Sequence, residues 1–85
     1  MNKIYERLVN NCKRAYKNND LKKAYDYWCS MHDEFEYIEK EHNKELDEWV
    51  KAHQEFQNYM SKFTDQEVYD ITNYGKEKYY KENDL

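Results

Sequence analysis

An apolar side chain recurs every third or fourth residue across 21–63, and neither Gly nor Pro interrupts the pattern. Leu21, Ala24, Trp28, Met31, Phe35 and Ile38 follow the a/d rhythm of a coiled-coil seam. The rhythm passes through His42 and resumes at Leu46, Trp49, His53, Phe56, Met60 and Phe63. The two steps of four around His42 relax the supercoil and hold the stripe on one face. This spacing suits a helix and not a strand, so it predicts an all-α fold with a long central helix over about 21–62, flanked by two shorter antiparallel helices. A second form keeps the class and changes the shape. Between Glu39 and Glu45 only His42 can serve the stripe, and Asn43 can close one helix and open another, so a break near 41–44 would give a four-helix bundle. Good helix formers (Glu and Lys) and the lack of Gly or Pro favour the continuous helix.

The flanking helices have clear boundaries. Ile4, Tyr5, Leu8, Val9, Cys12, Ala15 and Tyr16 line one face of a helix over 2–18, with Lys3, Arg7, Asn11, Arg14 and Lys17 opposite. The run Asn18-Asn19-Asp20 ends it, because Asn tolerates the left-handed conformation and Asp20 can cap the next helix. Thr64-Asp65-Gln66-Glu67 matches the capping box, which starts the last helix. Val68, Ile71, Thr72, Gly75 and Tyr79 share a face there, and Gly75 either ends the helix or admits a close neighbour. The stretch from Asp20 to Trp28 is similar to the start of the second helix in a tetratricopeptide unit; over about a dozen residues, that resemblance implies a helical hairpin and no activity.

Eighty-five residues form one small helical domain, 1–85, near the size at which a single core just suffices. The charged fraction, 38%, is high, but ten Tyr, two Trp and three Phe supply the apolar area a core needs, so the chain does not read as disordered. No apolar run reaches the roughly 18 residues of a membrane span and no leader pattern is present, so a cytoplasmic protein is expected. In a hairpin about Asn19, Cys12 falls a turn away from Cys29, and both are read as reduced.

Charge is segregated along the chain. Residues 1–23 carry +5 and residues 24–48 carry −7, within a total of −4. Such polarity is satisfied inside the fold, in a dimer, or on a partner.

The motifs of catalysis are missing: there is no Gly-rich phosphate loop, and Ser30 and Ser61 lack the neighbours of a nucleophile. Glu39-x-x-His42 and Cys29-x-x-His32 are two-ligand fragments without the second pair that a di-iron or zinc site requires. The sequence therefore reads as a non-enzyme without metal or cofactor.

Three binding readings follow. The leading one is stoichiometric binding to another protein. Tyr27 and Tyr37 lie off the main stripe among Asp33, Glu34, Glu36 and Glu41, an acidic and aromatic set suited to a basic protein surface. The second is nucleic-acid binding through Lys3, Arg7, Arg14 and Lys17, together with Lys76, Lys78, Tyr79 and Tyr80 near the C-terminus. The third is a structural or scaffold role; in each reading the chain is expected to form a homodimer, most simply with two long helices antiparallel about a two-fold axis. Twelve Lys against two Arg, with abundant Asn and Tyr, resembles coding from an AT-rich bacterium or its phages. The concrete form of the leading reading is thus a phage or mobile-element inhibitor of a host or defence complex, of the anti-CRISPR kind, in a bacterial or phage-infected cell.

Overall fold

The computed structural model describes the backbone of residues 3–42 and 46–83, and the side chains of all of these except 42 and 80–83. Four helices follow one another: α1 (Lys3–Lys17), α2 (Leu21–His42), α3 (Leu46–Met60) and α4 (Asp65–Asn83). The all-α class is as predicted, and the shape is the four-helix bundle.

The continuous helix over 21–62 does not form. It would be about 63 Å long at 1.5 Å per residue, whereas the molecule measures 41 × 30 × 19 Å. Instead α3 folds back along α2. Phe35 and Phe56, about 31 Å apart on a single helix, stack with their ring centroids 4.3 Å apart. Trp28 meets Phe63 edge-on at 5.2 Å, and His32 meets Phe56 at 5.3 Å. The stripe is therefore real but closes on itself. Its two halves supply each other's cover. His42 and residues 43–45, where the break was placed, lie outside the described side chains and residues respectively.

The α1–α2 turn is built as its residues predict. Asn19 takes φ 60°, the Asn19 amide donates to Tyr16 O at 3.0 Å, and the Asp20 amide donates to Ala15 O at 2.9 Å. This is the double hydrogen-bond closure of a left-handed C-cap. Asp20 Oδ1 then accepts from the Lys23 amide at 3.1 Å and caps α2. At α4 the capping box is complete: the Glu67 amide donates to Thr64 Oγ1 at 3.1 Å, and the Thr64 amide donates to Glu67 Oε1 at 2.8 Å.

α1 packs most extensively on α2, and α2 is the hub that also meets α3 and α4. The core consists of Tyr5, Val9, Cys12 and Ala15 of α1, Ala24, Trp28 and Met31 of α2, Tyr59 of α3, Phe63, and Ile71 of α4. Cys12 Sγ donates to Ala24 O at 3.2 Å across the α1–α2 seam, and Tyr5 packs on Phe56 and Tyr59 at 5.8 and 5.5 Å. Both cysteines are free thiols. α4 runs straight through Gly75, whose buried backbone lies against the Tyr25 ring. Lys13 bridges α1 to the start of α4 through Glu67 at 3.3 Å, and Tyr16 donates to Asp70 Oδ2 at 2.6 Å. No helix among the described residues is long and apolar enough to cross a membrane.

Candidate functional site

The residues chosen from the sequence for protein binding all lie on α2, but not on one line. Taking 100° per residue, exposed Asp33, Tyr37 and Glu41 fall within an arc of about 80° that faces away from the core, and half-buried Glu34 lies at its edge, near enough to act on the Tyr5 hydroxyl. Tyr37 stands in its middle with 62% of its surface exposed, one turn from Asp33 and Glu34 on one side and from Glu41 on the other. Tyr27 is different. It is half-buried and packs against the core at the α1–α2 seam, beside Asn11, Arg14 and Asn18. Tyr25 likewise turns inward, against Tyr74 and Gly75. Glu36 lies about 60° beyond Asp33, on the flank that looks toward α4.

Lys13 forms an ion pair with Glu67, and His53 with Glu39. Asp33, Glu34, Glu36 and Glu41 enter neither, and nor do Lys3, Arg7, Arg14 and Lys17. Those four cations occupy the face of α1 directly opposite its buried residues and stretch over about 21 Å. A basic ridge and an acidic ridge thus lie on neighbouring helices, separated by the seam that holds Tyr27.

The C-terminal half of the nucleic-acid set is placed elsewhere. Lys76 and Tyr79 line a groove between α2 and α4, and Lys78 is half-buried. The side chain of Tyr80 lies outside those described. The basic stripe of α1 and the Lys/Tyr segment therefore do not form one surface around a shared axis.

That groove was not foreseen. Its volume is about 500 Å³, and Tyr25, Trp28, Cys29, His32 and Asp33 of α2 face Thr72, Gly75, Lys76 and Tyr79 of α4 across it. A single Gly within a helical pattern was its sequence signal. Because residue 75 has no side chain, the two helices approach until Tyr25 covers the glycine, and the groove opens beside that contact.

At the far end of the α2–α3 hairpin, Leu46, Trp49 and Val50 remain partly exposed. Trp49 lies over His53 at a centroid distance of 3.8 Å. The His53 ring contacts Trp49 O through Nδ1 at 3.0 Å and Glu39 Oε2 through Nε2 at 3.1 Å. Both oxygens are acceptors, and the contact with Glu39 ties α3 to α2.

Two groups are held far from reactivity. Burial, reinforced by the nearby charge of Glu67 and opposed by Lys13, pushes the Cys12 thiol up to about 12. Burial also raises the Tyr5 hydroxyl, with Glu34 and Glu55 adding to the effect. Among the described residues no group of three His, Cys, Asp or Glu side chains converges to hold a metal. Comparison with protein-family models, with curated proteins and with solved structures gives no match.

Proposed function

We propose that this chain acts by stoichiometric binding to another protein, and that the outer face of α2 centred on Tyr37 is the surface it uses. The observation that carries this reading is the exposed Tyr37 ring set among Asp33, Glu34 and Glu41, none of which is ion-paired among the described residues. An aromatic ring supplies contact area at low entropic cost, and the flanking carboxylates select a basic surface and speed its approach. A binder of this size works by occupying its partner's surface. An inhibitor of a host or defence complex is the concrete form, and its support is size, composition and the basic character of surfaces that handle nucleic acid.

The test is capture from a lysate of the source cells with tagged protein, with and without nuclease, beside the variant Glu34→Gln/Tyr37→Ala/Glu41→Gln. The reading expects one nuclease-resistant protein at near-equimolar yield that the variant fails to retain. Capture that disappears with nuclease would transfer the function to Lys3, Arg7, Arg14 and Lys17.

A further inference from the structure

We propose that the groove between α2 and α4 receives an arginine side chain of the protein partner; this rests on the protein-binding reading above and assigns it a second, separable contact. The Tyr37 ridge and the groove are adjacent on α2 and share Asp33 as their common border. From there the groove flank runs back through His32, Cys29 and Tyr25 and forward to Glu36, one turn on. A guanidinium entering from solvent meets two unpaired carboxylates, Asp33 on the rim and Glu36 beside it. It then meets aromatic side chains that line the groove, Tyr25 and Trp28 on α2 and Tyr79 on α4.

The chemistry selects arginine over other side chains. A planar guanidinium stacks on Tyr or Trp and donates two parallel hydrogen bonds to a carboxylate, whereas an ammonium is more strongly hydrated and binds as a point charge. The groove volume of about 500 Å³ accommodates such a side chain with its backbone segment. Its open form suits a side chain that arrives on a surface better than a small molecule that must be enclosed. One feature opposes the cation. Lys76 lines the same groove from α4, exposed and joined to no carboxylate among the described residues. Lys76 therefore sets the affinity low, and its removal should raise it.

Titration of the ¹⁵N-labelled protein with a hexa-arginine peptide, and separately with a hexa-lysine peptide, tests this directly. The amides of Thr72 and Gly75 and the Trp28 indole should shift with hexa-arginine and shift less with hexa-lysine. Asp33→Asn should weaken the arginine peptide about tenfold, the effect of one lost charge-assisted hydrogen bond. Lys76→Gln should tighten it, and the spectra themselves report whether each variant is folded. Equal responses to the two peptides, or shifts confined to the neighbours of Tyr37 and Glu41, would overturn the groove assignment and leave the ridge standing. In the Glu34→Gln/Tyr37→Ala/Glu41→Gln variant the groove shifts should persist, so failure of the ridge and failure of the groove are read separately.

Discussion

Tyr25 lies so close over Gly75 that a Cβ built on the glycine would overlap its ring, with Cζ only 2.5 Å away. The contact fixes the separation of α2 and α4 and with it the groove beside them. Gly75→Ala sets two effects against each other: alanine favours the helix by about 1 kcal/mol, and overpacking costs about 1–3 kcal/mol. Overpacking should win, so the variant should unfold at lower denaturant. In a Tyr25→Ala background the space exists, and the same substitution should become neutral or stabilising. Chemical denaturation of the four proteins as a double-mutant cycle checks the reversal of sign.

The two tryptophans share a stripe in the sequence but not an environment. Trp28 is 8% exposed, against Phe63 and His32. Trp49 is 36% exposed at the hairpin end, resting on His53. Trp28→Ala should cost on the order of 3–5 kcal/mol, the range for a buried aromatic, and unfold a domain of this size. Trp49→Ala should cost well under half as much and leave a cooperative transition, measurable by circular dichroism.

Glu67 links pH to stability. Burial raises its pKa, but the Thr64 amide and Lys13 outweigh that, and the carboxyl sits below its ordinary value of 4.5. A carboxyl depressed in the fold contributes stability at pH values above the unfolded pKa and loses that contribution as pH falls through the folded one. The native chain should therefore lose more stability between neutral pH and the acid side of 4.5 than Glu67→Gln does over the same window. Urea midpoints at a series of pH values give the comparison. Thr64→Ala, which removes the other half of the box, should cost about 1 kcal/mol at neutral pH.

Cys12 and Cys29 should separate in a thiol-reactivity assay. Cys12 is fully buried, donates to Ala24 O and has its pKa at about 12, whereas Cys29 is half-exposed on the groove. At pH 8 a disulfide reagent should modify Cys29 in the folded protein and reach Cys12 only on unfolding. Equal rates in the native state would contradict the placement of Cys12.

How far each feature could be read from the sequence follows from how local its cause is. The Asn19 turn and the Thr64–Glu67 box were legible because each is decided within six residues. The stripe was legible as a face, and its members do meet in the core. Its reversal was not decided by local signals, because Glu39 to Glu45 contains good helix formers and no Gly or Pro. Long-range burial settled it: Phe35 on Phe56 and Trp28 on Phe63 exist only when α3 returns along α2. The surface was legible in part for the same reason. Tyr37 and Tyr27 look alike in sequence, both off the stripe and beside acids, and only the path of α1 over the Tyr27 flank buries one of them. The groove needed the packing of α2 on α4, which a single Gly hints at and cannot locate.

The central claim is that the Tyr37 ridge binds a protein. Isothermal titration of the captured partner tests it most directly, comparing the native chain with Glu34→Gln/Tyr37→Ala/Glu41→Gln and with Arg7→Gln/Arg14→Gln. The account predicts one-to-one binding, an affinity at least about 30-fold weaker for the ridge variant, as expected when a central aromatic worth about 2 kcal/mol is lost, and little change for the α1 variant. Undiminished binding by the ridge variant, with loss in the Arg7 and Arg14 variant, would contradict it.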